Sequence, residues 1–229
     1  MRLLPFLSTC LSIGIFLLVV SCSEFLSPDV SGVVLKINSP SDSLFSRPKL
    51  LSFWWEADRL AEAYRIQVVE PDFNTPSLLL DTLIIGNRLD INLDEGLYAW
   101  RLRAENAGSI STYITRTLVL DQSPPIGAIS LSPLDSSVVN PQGLTLRWQS
   151  QDFPLAGYSF PVRDSVYLYR LLGNARLPLS SYHVGFNEIR EIQPGTLVTP
   201  DSADYLWEIT TFDRAGNASS GASFVFFVR

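Results

Sequence analysis

Apolar and polar residues alternate most cleanly over 98–105, where Tyr98, Trp100, Leu102 and Ala104 share one face and Arg101, Arg103 and Glu105 the other. A period of two is a strand, dry on one side and wet on the other. A Gly-containing turn follows at Ala107-Gly108, and then a second strand. The same plan returns at Tyr205-Leu-Trp207, with its turn at Ala215-Gly216. Further strands are predicted over 33–37, 51–55, 63–69, 78–84 and 89–93, with 40–48 and 71–76 as turns. An aromatic-faced hairpin is marginal alone, so an opposing sheet must cover it.

The pattern repeats along the chain. Ser39-Pro-Ser-Asp-Ser43 recurs as Ser132-Pro-Leu-Asp-Ser136, and Trp55 recurs as Trp148, both at an offset of 93. Trp100 maps to Trp207 at 107. The offset therefore grows by 14 inside the second copy, and much of that insertion is expected in 151–163. A repeat this regular predicts two domains of one fold. The expected fold class is all-β: two tandem antiparallel β-sandwiches over 33–121 and 122–229. Pro124-Pro125 makes the junction stiff. The stretch 172–202 does not thread onto this plan.

Residues 1–21 carry one charge, Arg2, and then run almost unbroken and apolar to Val20. That is the layout of a secretory signal. The run ends Val19-Val20-Ser21-Cys22, which resembles the lipobox of bacterial lipoproteins. The resemblance implies cleavage before Cys22, diacylglycerol on its thiol, residues 22–32 as a lipidated tether, and a place in the bacterial cell envelope, at the outer membrane. The membrane is then a partner through the anchor. An uncleaved transmembrane anchor is the rival reading, since the run is just long enough to span a bilayer.

Composition narrows the chemistry. The formal net charge is −6, with no basic stripe, which argues against nucleic acid. Cysteine occurs only at 10 and 22, and His183 is the single histidine, so no disulfide and no zinc site is expected in the body. The acidic loops lack the Asp-x-Asp-x-Asp-Gly spacing of a calcium loop. No metal and no cofactor is expected. A Ser-His-Asp arrangement would have to use His183, which has no nucleophile motif around it. Asp58, Glu62, Asp90, Asp94 and Glu95 read as solvated surface rather than as a glycosidase pair. The chain is therefore expected not to be an enzyme.

The run Tyr98-x-Trp-Arg-Leu-x-Ala-x-Asn-x-Gly resembles the sixth strand and following loop of fibronectin type III modules, with Trp55 and Tyr64 matching the second- and third-strand aromatics. Asp213-Arg-Ala-Gly-Asn217 is similar to a turn of bacterial immunoglobulin-like domains. The resemblance implies the sandwich and says nothing of activity. It also implies that the loops at 151–163 and 213–219 share the pole where the chain enters the second domain. Phe153, Tyr158, Phe160, Asp213 and Asn217 are the candidate residues there. They either wedge the two domains together, which is the favoured reading, or bind a protein or glycan partner. The function expected is a non-enzymatic envelope lipoprotein for binding, adhesion or assembly. The alternatives are a carbohydrate-binding or glycan-active accessory and a ligand-free spacer.

Overall fold

The computed structural model describes residues 27–74, 76–186 and 190–229. The signal and the lipidation site at Cys22 lie outside the described residues. Among those residues, no helix is long and apolar enough to cross a membrane.

The first half contains β1 (Ile37–Ser39), β2 (Leu44–Ser46), β3 (Leu50–Trp55), β4 (Ala63–Glu70), β5 (Ser77–Ile84), β6 (Arg88–Asn92), β7 (Gly96–Glu105) and β8 (Ile114–Leu120). The second contains β9 (Ile126–Ser132), β10 (Ser137–Val139), β11 (Leu146–Gln151), β12 (Arg163–Leu172), β13 (Ala175–Val184), β14 (Glu191–Ile192), β15 (Ala203–Phe212) and β16 (Ala222–Val228). In the first half a sheet β1-β3-β6 faces a sheet β2-β8-β7-β4-β5. In the second, β14-β11-β9 faces β10-β16-β15-β12-β13. Each half is thus a three-on-five sandwich, and the architecture is all-β as the alternation predicts.

The alternating faces close on each other. Trp100 and Phe53 from opposite sheets meet edge to face, with centroids 4.8 Å apart, and Trp148 meets Trp207 at 6.0 Å. Trp55, Trp100 and Trp207 have no exposed surface and Trp148 almost none. Trp54 points outward and is 45% exposed, as its opposite phase to Trp55 requires. Tyr98, at the start of its strand, donates its hydroxyl to the Asp94 carbonyl at 2.8 Å. Burial, followed by the nearby Glu70 and Asp94 charges, pushes that hydroxyl up to about 12.

The repeated Ser-Pro-x-Asp-Ser run has a specific task. Asp42 Oδ1 accepts the Thr117 amide at 2.9 Å, and Asp135 Oδ1 accepts the Val225 amide at 2.8 Å. Ser43 and Ser136 follow in the left-handed region, at φ 56° and 60°. The turn thereby delivers β2 and β10 to the edges of β8 and β16, where each pairs in parallel. Two expectations change here. The stretch 40–48 holds a strand, β2, and the opening strand is 37–39 rather than 33–37. The turn's own hydrogen bonds, invisible as hydrophobic alternation, carry the chain across to the second sheet.

The insertion is also redistributed. Val68 opposes Trp100 across the ladder, and Leu168 opposes Trp207. Val68 to Leu168 is an offset of 100. The stretch from Trp148 to Leu168 therefore supplies 7 of the 14 extra residues, 4 of them in the loop between β11 and β12, and the other 7 lie between Leu168 and Trp207.

Candidate functional site

The two sandwiches meet where the chain passes from β8 to β9. The loop between β11 and β12 and the loop after β15 both lie at this junction. Phe160 packs edge-on against Phe45 of β2, with centroids 5.0 Å apart. Arg214 lies over the same Phe45 ring, 5.0 Å from its centroid, and 5.7 Å from that of Phe186. Beside them is a cleft of about 360 Å³, lined from the first sandwich by Tyr98 and Thr117 and from the second by Tyr158 and Arg214.

The Asp213–Asn217 turn explains why Arg214 projects. Asp213 Oδ1 accepts the Asn217 amide at 2.8 Å, and its Oδ2 accepts the Asn217 side-chain nitrogen at 2.7 Å. Gly216 takes φ 87°, where a side chain would be strained. The same Asn217 nitrogen donates to the Asp121 carbonyl at 2.8 Å. The Asp121 amide, in turn, donates to Ser46 of β2 at 3.0 Å. One residue of the linker is thus tied to both sandwiches.

Three acids converge here. Asp121, Asp152 and Asp213 are all buried, and one oxygen from each lies within 4.8 Å of the others. Burial, and after it the charges of Asp213 and Asp152, pushes the Asp121 carboxyl up to about 6. Burial and the Asp213 charge do the same to Asp152, against the pull of the Phe153 and Phe160 amides.

The five residues singled out from the sequence fall into two groups. Phe160, Asp213 and Asn217 are turned into the junction. Phe153 and Tyr158 remain 54% and 60% exposed. Sequence reasoning missed Asp121 and Asp152, and also Arg214 and Phe45. Spacings of 31 and 61 residues between the acids carry no local signal; only the repeat's shared pole could have placed them together.

The other candidates do not assemble. His183 Nδ1 stands 3.1 Å from Ser165 Oγ across the β12–β13 ladder, an ordinary cross-strand pair. Asp90 is paired with Arg88 and Asp94 with Lys49 on the open surface.

No protein-family model and no curated protein matches the sequence. The structural neighbours are fibronectin type III modules. The fibronectin(III)-like modules of Clostridium thermocellum CbhA are 13% identical, with a TM-score of 0.45 over 86% of this chain and 94% of that one. A two-domain fibronectin type III segment of chicken tenascin is 16% identical, with a TM-score of 0.32 over 84% and 96%. The FN1–FN3 domains of chicken CNTN1 are 10% identical, with a TM-score of 0.37 over 87% and 67%.

Proposed function

We propose that the chain is a non-enzymatic cell-envelope lipoprotein, anchored through Cys22, that presents its two sandwiches to a protein partner. The observation that carries the reading is the loop between β11 and β12. It spends Phe160 on the first sandwich yet leaves Phe153 and Tyr158 in solvent, Tyr158 at the mouth of the interdomain cleft beside Arg214. Exposed aromatics next to an arginine are the residue types that dominate protein recognition surfaces. The tether residues fit an anchor: Val30 donates its amide to Ser109 Oγ at 2.7 Å, so the first sandwich begins within a few residues of Cys22.

A second reading is a carbohydrate-binding accessory, because the same exposed rings offer faces for sugar stacking. Two substitutions separate the readings. The Phe153→Ala/Tyr158→Ala chain is compared with wild type for cross-linked neighbours in the intact envelope and for retention on envelope glycan. Loss of a protein neighbour with unchanged glycan retention supports the leading reading. Loss of glycan retention alone supports the second. Intact-mass analysis of the membrane fraction tests the anchor: a diacylated N-terminal Cys22 is expected, and an uncleaved, unacylated chain contradicts it.

A further inference from the structure

We propose that Asp121, Asp152 and Asp213 form a divalent-cation site of the calcium class that clamps the two sandwiches at their junction. The inference does not depend on the anchor or on the partner proposed above.

Each acid comes from a different segment. Asp121 directly follows β8, Asp152 directly follows β11, and Asp213 directly follows β15. The fold thus gathers the exit of the first sandwich and two loops of the second around one point. A buried carboxylate needs a countercharge or a full set of donors. The chain meets that need at its remaining buried aspartate. Asp164 takes Arg190 at 2.7 Å, the Trp148 ring nitrogen at 2.9 Å and the Thr211 hydroxyl at 2.7 Å. The trio at the junction has donors but no countercharge: Asn217 donates twice to Asp213 and the Ser123 amide once to Asp121, yet among the described residues no ion pair reaches any of the three. Asp152 adds an independent sign. Its Oδ1 accepts the Phe153 amide, but its Oδ2 is fully buried with no donor in hydrogen-bond geometry, the Phe160 amide acting on the carboxylate only through its dipole, and this carboxylate lies among the other two. The charge-deficient centre and the orphaned oxygen both ask for a cation.

The first repeat has no counterpart, so the trio is a feature of the junction and not of the sandwich. At the offset of 93, Asp121 and Asp152 correspond to Pro28 and Arg59. Asp213, the residue after β15, corresponds at 107 to Asn106, the uncharged residue after β7.

The ligand chemistry follows from the donors. Three carboxylates with neither imidazole nor thiolate select a hard cation. Calcium, with ligands at about 2.3–2.6 Å, joins oxygens up to about 5 Å apart, whereas magnesium, at about 2.1 Å, joins them only to about 4 Å. The three oxygens lie within 4.8 Å of one another, inside calcium's reach, and in a buried site magnesium's reluctance to shed its waters counts against it.

The test uses the full chain in detergent, stripped with EGTA. Calorimetric titration with CaCl₂ alone is expected to show one site per chain, and about 1 mM CaCl₂ to raise the melting temperature by about 5 °C or more. MgCl₂ at the same concentration is expected to do markedly less. Asp152→Asn is expected to lose at least tenfold in calcium affinity, yet to melt at or above the wild type in EGTA, because it removes a repelling buried charge. Asp94→Asn, on the surface, is expected to respond to calcium as the wild type does. No calcium binding by the wild type, an equal response of Asp152→Asn, or an equal or stronger effect of magnesium would overturn the proposal. The wild-type titration decides the matter even where a variant fails to fold.

Discussion

Asn217 donates from its side-chain nitrogen to the Asp121 carbonyl at 2.8 Å, with both residues buried, and thereby pins the linker to the near pole of the second sandwich. The first sandwich uses the same device on its own entering segment: Asn106 donates to the Pro28 carbonyl, and Pro28 lies 93 residues before Asp121. Each sandwich therefore fastens its incoming chain with a loop asparagine, but from a different position of the loop: Asn106 directly follows β7, and Asn217 lies five residues past β15. Asn217→Ala leaves a buried carbonyl and Asp213 Oδ2 without that donor. It is expected to cost about 1–3 kcal/mol in the unfolding of the second sandwich, read by urea denaturation.

The tryptophan phase predicts a sharp contrast. Trp207 has no exposed surface and packs on Trp148 and Phe224. Trp207→Ala is expected to cost about 3–5 kcal/mol. Trp54→Ala, on an outward-facing position, is expected to change stability by about 0.5 kcal/mol or less. Equilibrium unfolding of both variants gives the comparison.

The turn aspartates form a matched pair. Asp42→Ala and Asp135→Ala each remove one carboxylate acceptor from a strand amide, and each is expected to cost about 1 kcal/mol in its own sandwich. Hydrogen exchange at Thr117 and Val225 is the direct readout, faster in the corresponding variant only.

The junction acids set the pH response in EGTA. Asp121 and Asp152 sit near 6 when folded, against an ordinary 3.8, with Asp213 facing both and Glu95 also near Asp121. Raised carboxyls hold protons in the folded state that the unfolded chain has released. Stability contributed by these groups is therefore greatest below the ordinary value and falls as pH rises from about 4 through about 6. Melting temperatures of wild type and Asp152→Asn across that window check the sign, and the variant's fall is expected to be shallower.

The Phe45–Phe160 contact predicts the stiffness of the linker. Phe160→Ala removes the edge-to-face pair and is expected to speed amide exchange over residues 121–127 while leaving exchange in the β7 and β15 ladders unchanged. Such aromatic pairs are worth about 0.5–1.5 kcal/mol beyond the area they cover, so an effect of several-fold is expected.

How much of this was legible depends on which force set each element. The sandwich cores follow strict alternation, so Tyr98, Trp100, Trp55 and Trp148 declared their inward face in the sequence. The stretch 172–202 was not legible because β13 is an edge strand, largely exposed, with Pro178 inside it. Edge strands have less to bury, and their alternation fades. The strand β2 hid inside a turn because its placement comes from Asp42 and a parallel partner, not from hydrophobic rhythm. The acid trio was least visible of all. Its members are assembled by the contact between two repeats, and nothing in the neighbourhood of Asp121 or Asp152 along the chain sets them apart from surface aspartates.

These contacts hold the two sandwiches in one fixed arrangement, through the residues of the 121 linker and the loops around Phe160 and Asp213. The most direct measurement is a spin-label distance distribution between cysteines placed at Leu79 on β5 and Leu177 on β13, with Cys10 and Cys22 changed to serine. A single narrow distribution, broadened in Asn217→Ala, is predicted. A broad wild-type distribution, unchanged by that substitution, would mean that the sandwiches swing freely and that these contacts do not fix them.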